Sequence, residues 1–143
     1  MIALGLDIGT IRVGVAKWSQ DSPIVTPVET ISAKRPKHAL ATVQSLIQKH
    51  QATHLILGYP LMPNGQPGAI AQIVDRWKSK LEEDTECVVI LWDERMTSKQ
   101  AEQDMRLLGL SAKQQRNVVD MAAAMRILDS WITAKNMRDH VSR

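Results

Sequence analysis

The stretch Leu4-Gly5-Leu6-Asp7-Ile8-Gly9-Thr10-Ile11-Arg12-Val13-Gly14-Val15-Ala16 decides how the chain is read. Met1 to Asp7 reads as a strand rich in Ile and Leu. Gly9-Thr10 is a turn signal, and Arg12 to Trp18 reads as a second strand, so the segment is a hairpin. An acid that ends an apolar strand is costly to bury unpaired. Strand alternation places Ala3, Gly5 and Asp7 on one face, where the small Ala3 and Gly5 let another element come close. The plainer alternative for Asp7 is a turn aspartate that caps the Gly9-Thr10 hairpin.

Outward from the hairpin, Ile24 to Ile31 reads as a third, weaker strand, flanked by Pro23 and interrupted at Pro27. Lys37 to His50 is helical, with Leu40, Val43, Leu46 and Ile47 on one side. His54 to Gly58 is a short buried strand, Pro60 to Gly68 a loop, and Ala69 to Glu83 a second helix. Val88 to Trp92 is continuously apolar, as expected of a parallel strand covered on both faces. Thr97 caps a helix ending at Gly109, and Ser111 caps a last helical region running to about Lys135. The order β-β-β-α-β-α-β-α-α predicts an α/β fold. Its sheet is five-stranded and mixed, an antiparallel meander of three strands plus two parallel strands, with helices on both faces. One domain over residues 1–136 and a short basic tail over 137–143 account for the chain.

Composition narrows the class. The 143 residues are 44% apolar and 23% charged, an ordinary globular profile. With no Phe and one Tyr, the core must come from Ile, Leu, Val, Met and Ala, with four Trp. Cys87 is the single cysteine, which excludes an internal disulfide, and its apolar run reads as a buried structural thiol. No signal peptide is visible and no apolar stretch approaches the roughly 20 residues that span a bilayer, so the expected location is the cytoplasm, without membrane. The net charge of +3 permits a polyanionic partner without requiring one. Lys34, Arg35, Lys37 and His38 cluster before one helix, and Lys113 and Arg116 stand just before Asp120. These basic residues read either as solvated faces or as a surface that tracks phosphates.

Two further acids join Asp7 as candidates. Asp93-Glu94-Arg95 directly follows the last strand. Neighbours on an extended strand point oppositely, so Asp93 and Glu94 cannot both join one cluster, and parity alone does not choose between them. Arg95 suits a role in orienting a carboxylate or contacting phosphate. Asp120 opens a helical stretch beside Ala122-Ala123-Ala124, small residues that let a helix press against a sheet. Carboxylates converging from two strand ends and a helix form a hard-oxygen site suited to Mg²⁺ or Mn²⁺, with one or two ions. The histidines His38, His50, His54 and His140 are scattered, which argues against zinc.

Four blocks in order resemble the YqgF-type (RuvX-like) family of Holliday junction resolvases and pre-16S rRNA nucleases. They are Leu6 to Ala16; Gly58-Tyr59-Pro60-Leu61 with Asn64-Gly65; Asp93 to Ser98 with Ala101; and Val119-Asp120 with Ala122-Ala123 and Ile127-Leu128. The resemblance spans nearly the whole chain. It implies an RNase H-like fold, metal-dependent nuclease chemistry and a role in maturing the 5′ end of 16S ribosomal RNA. By position it puts the acidic residues, catalytic and metal-holding, on Asp7, Glu94 and Asp120. Asp93, Thr10, Arg12, Arg95 and Thr97 then support the site or meet substrate, and Lys34, Arg35, Lys37, Lys113 and Arg116 meet nucleic acid. The implied partners are pre-rRNA, a ribosomal particle or branched DNA, with the protein a monomer or homodimer. One loop departs from the family pattern: Met62 and Asn64 stand where an Asn and an Asp are usual, between Pro60, Pro63 and Pro67. A rival reading is a module of the same fold that binds nucleic acid junctions without cutting. A sugar kinase or actin-like ATPase, which opens on a similar hairpin, needs a second domain that this length does not provide.

Overall fold

The structure, a computed structural model, describes residues 1–93 and 112–141; the side chains of Pro23, 112–117 and 139–141 lie outside the description. Five strands, β1 (Ile2–Ile8), β2 (Arg12–Ser19), β3 (Ser22–Ser32), β4 (His54–Tyr59) and β5 (Val88–Asp93), form one sheet in the order β3-β2-β1-β4-β5. The first three pair antiparallel, while β1–β4 and β4–β5 pair parallel. The expected mixed sheet is therefore the observed one. Three helices cover it: α1 (Pro36–His50), α2 (Ala71–Asp84) and α3 (Ala112–Val141). The helix expected over Thr97 to Gly109, and the Ser111 cap, lie outside the described residues.

Period-two alternation sends the two sides of each strand to different helices. Leu4, Leu6 and Ile8 of β1, Val13 and Val15 of β2, and Leu55 and Leu57 of β4 pack with Val43, Val74, Trp77 and Leu81 beneath α1 and α2. Ala3 of β1, Ala16 and Trp18 of β2, and Ile56 of β4 pack with Ala124, Ile127, Leu128 and Trp131 of α3. Trp18 and Trp131 meet edge to face, with centroids 6.1 Å apart.

Three elements differ from the sequence expectation. β3 runs unbroken through Pro27, which pairs with Ala16, instead of being interrupted there. It is an edge strand, where proline is tolerated, and register shifts near Ala16 and Lys17 accompany it. α3 continues beyond Lys135 to Val141, so much of the stretch expected as a tail is helical. Cys87 is half-buried rather than buried. Its thiol donates to the Ala52 carbonyl at 3.2 Å, and burial raises its pKa, which suits a structural role.

Candidate active site

The site face begins with two glycines. Ala3, Gly5 and Asp7 share one side of β1, and Arg12, Gly14, Ala16 and Trp18 share the same side of β2, opposite α3. Asp7 is the cross-strand partner of Gly14, and Gly5 that of Ala16. A Cβ at Gly14 would fall 2.0 Å from the Asp120 carbonyl oxygen and 3.1 Å from Asp120 Cβ. One at Gly5 would fall 2.7 Å from the Ala124 carbonyl oxygen and 2.6 Å from Leu128 Cγ. Both positions lack the atom that would collide, so α3 lies with its backbone directly on the sheet. Cross-strand partners in an antiparallel pair stand about 5 Å apart at Cα. The contact of Asp120 with Gly14 therefore stations Asp120 beside Asp7, on one face and at one level of the sheet.

Arg12 completes this corner. Its Nε donates to Asp120 Oδ2 at 2.5 Å, with the two side chains 33% and 18% exposed. A charge-assisted bond this short, partly shielded from water, holds the Asp120 carboxylate in place. Further along the same face, Trp92 Nε1 donates to Ser130 Oγ at 2.9 Å and ties β5 to α3.

The other candidate residues fall in three groups. Asp93 ends β5 opposite Tyr59, on the parity of Val89 and Leu91, and so belongs to the α1/α2 side, away from Asp7. Glu94, Arg95 and Thr97 lie outside the described residues. Thr10 is exposed in the β1–β2 turn. Lys34, Arg35 and Lys37 are exposed at the acid end of the sheet, where Ser32 pairs with Arg12 and Ala33 N donates to the Ile11 carbonyl at 2.7 Å. They approach from the α1 side, not from the α3 face. Lys113 and Arg116 belong to the first turns of α3, and their side chains lie outside the description. Among the described residues no group of three metal-ligating side chains gathers.

Sequence reasoning recognised the small patch at Ala3 and Gly5 but missed Gly14. A glycine inside an otherwise apolar strand is itself a sign of close backbone approach, and that signal was present in Val13-Gly14-Val15. The Arg12–Asp120 pair spans 108 positions of sequence and had no local signal.

The fold is that of the RNase H-like resolvases. Thermus thermophilus RuvC, solved in complex with Holliday junction substrate, superposes with a TM-score of 0.62 at 9% identity, over 94% of this chain and 96% of that one. The fowlpox virus Holliday junction resolvase gives 0.58 at 13% identity, over 94% and 99% of the two chains. The chain belongs to the RuvX Holliday junction resolvase family, a class of phosphodiester-cleaving nucleases, with the match running over residues 1–134. A relative from Chloroflexus aurantiacus, named "Putative pre-16S rRNA nuclease", is 37% identical over 134 residues, covering 94% of this chain and 88% of its own. A relative of the same name from Nocardia farcinica is 33% identical over 140 residues, covering 93% and 78%.

Proposed function

We propose that the chain is a divalent-metal-dependent nuclease acting in the cytoplasm on structured nucleic acid, the precursor of 16S ribosomal RNA at its 5′ end above all. Asp7, Asp120 and Glu94 hold the metal in this reading. The observation that carries it is the stationing of Asp120 beside Asp7 through the Gly14 contact. Two carboxylates on one face repel each other, and a fold that forces them together gains most when a cation sits between them. Both present only hard oxygen donors, which fits Mg²⁺ or Mn²⁺ and not a thiophilic metal. Bound there, the metal supplies an activated water and charge stabilisation for the departing oxygen.

The protein's own groups divide the remaining work. Arg12 orients Asp120 through Oδ2 and offsets its charge. Glu94 is assigned by the family resemblance of Asp93-Glu94-Arg95, and Asp93 itself lies on the parity of Val89 and Leu91, the α1/α2 side. Lys34, Arg35 and Lys37 attract the phosphate backbone to the acid end of the sheet, with Lys113 and Arg116 joining them in the same role. Thr10, Asp93, Arg95 and Thr97 serve as supporting or substrate-facing groups. The names of the relatives favour ribosomal RNA over branched DNA as the substrate. Among the described residues no helix is long and apolar enough to cross a membrane.

Asp7→Asn tests the reading. The change keeps size and removes the charge, so Mg²⁺- or Mn²⁺-stimulated cleavage of a precursor rRNA fragment should drop about 1,000-fold or more while binding is kept or improved. Cleavage by Asp7→Asn at the wild-type rate would remove the assignment and with it the metal site. Retained binding with no cleavage by the wild type would instead favour a junction-binding module.

A further inference from the structure

On the opposite side of the β1–β2 turn from the acids lies a groove of about 290 Å³ between α1 and α2. Its walls are largely apolar: Ala33, Pro36 and Leu40 on one side, Ile73 and Trp77 on the other. Gly9 and Thr10 of the turn close its upper end, so the same turn borders the groove and follows Asp7 by two residues in sequence. Arg76 and Lys80, one helical turn apart on α2, stand on the rim. Lys34, Arg35 and Lys37 are exposed just beyond Ala33 and Pro36. None of these five cations makes an ion pair among the described residues, whereas Lys78 on the same helix is matched by Glu82 at 2.6 Å.

We infer that this groove is a binding site for one unpaired nucleotide of a single strand that leaves the acid site, its base lodged in the apolar cleft and its flanking phosphates held by Arg76 and Lys80. The inference rests on the nuclease reading and adds the chemistry of the substrate's flank to it. Five positive charges, none ion-paired among the described residues, around an apolar cleft complement a ligand with an apolar face and negative charge on both sides, which describes a nucleotide within a strand. The cleft is close in size to the small end of ligand pockets and admits one planar base. Bases stacked inside a duplex cannot reach it, so the strand must be unpaired there. The short path over Gly9 and Thr10 sets the position: the bound nucleotide lies a few nucleotides from the phosphate at the acids. A substrate with a single-stranded extension beside the cut is therefore held better than a blunt duplex.

The test is fluorescence anisotropy in EDTA, with an RNA duplex carrying or lacking a single-stranded 5′ extension of about six nucleotides. In the wild type the extension should tighten binding about tenfold, in keeping with one lodged base and two phosphate contacts. The double variant Arg76→Glu, Lys80→Glu should lose most of that gain and lower the salt slope by about 1.4, or 0.7 per single-strand phosphate contact. Ile73→Trp fills the cleft without changing charge, and should lose the gain while keeping the salt slope. Far-ultraviolet circular dichroism and melting temperature check that both variants fold. A wild type that binds both RNAs equally, or a gain that survives both variants, overturns the inference. A gain lost in the double variant but kept in Ile73→Trp overturns the base pocket. Cleavage of the blunt duplex by the wild type reports on the nuclease reading separately, and either result can fail without the other.

Discussion

The two faces of the sheet are built on opposite packing rules. Beneath α1 and α2 the strands present Leu4, Leu6, Leu55, Leu57, Val13 and Val15, and these large side chains keep the helix backbones away from the strands. Beneath α3 they present Ala3, Gly5, Gly14 and Ala16, and the helix backbone comes into contact with the strand backbone. The first face buries more apolar volume and so contributes more to stability. The second forgoes that volume and in return brings a helical acid down to the level of a strand acid. Stability and the candidate chemistry are therefore separated across one layer of backbone, and substitutions on the two faces should fail in different ways.

Gly14→Ala should have the largest effect. Its new Cβ would meet a backbone oxygen of Asp120, which no rotamer change can move, so α3 must retreat. Displacing a reactive group by about 1 Å costs roughly 100-fold in rate, and overpacking costs about 1–3 kcal/mol. Cleavage assays and thermal melts should show both losses together. Normal activity from Gly14→Ala would mean that the close approach of Asp120 to Asp7 is dispensable. Leu55→Ala, on the other face, should behave oppositely. Leu55 is fully buried, so truncation should cost about 2–5 kcal/mol in stability. The rate per folded molecule should stay unchanged, because nothing on the α3 side moves.

Arg12→Gln sharpens the comparison within the site face. It leaves the partly buried Asp120 carboxylate without its cation and beside Asp7, at a cost of about 1–2 kcal/mol in metal-free buffer. Added Mg²⁺ or Mn²⁺ should then raise the melting temperature of the variant more than that of the wild type, since the ion takes over the neutralising role. Equal metal shifts in the two proteins would separate Arg12 from any metal site.

The smallest effect belongs to the end of the sheet away from the acids, where each face carries one histidine. Burial first, then Lys17 and Lys49, hold the His50 imidazole below its ordinary value of 6.5. Lys17 Nζ lies 3.2 Å from His50 Nδ1, a contact that needs the neutral ring as acceptor. On the α3 face, burial first, then the N-terminal ammonium and Lys135, lower His54, whose ring lies 6.4 Å from that of Trp131. The unfolded chain protonates both at higher pH than the folded one. Stability should thus be fully present above about pH 7 and decline as pH falls through 6.5 and below. His50→Gln should flatten part of that decline in melts taken between about pH 7 and pH 5, and a slope unchanged by the substitution would remove His50 as a cause.

Local pattern alone located most of what matters in this chain. Alternation in β1 put Ala3, Gly5 and Asp7 on one face, and the 3.6-residue period of Leu40, Val43, Leu46 and Ile47 located α1, because both periods are properties of a few consecutive residues. Helix and strand boundaries shifted by a residue or two where caps and pairing, not pattern, decide them. The strand through Pro27 was illegible because whether proline breaks a strand depends on whether that strand lies at an edge. The sequence by itself thus determined the described elements, their order and the place of Asp7 at the end of the first strand's α3 face. Tertiary structure alone decided that Asp120 rests on Gly14 beside Asp7, that Arg12 pairs with Asp120, that Asp93 belongs to the far face, and that Arg76 and Lys80 border the same turn as the acids. The physical reason is that these relations depend on strand register and on the approach of a helix more than a hundred residues away, and neither leaves a trace in the composition of any single segment.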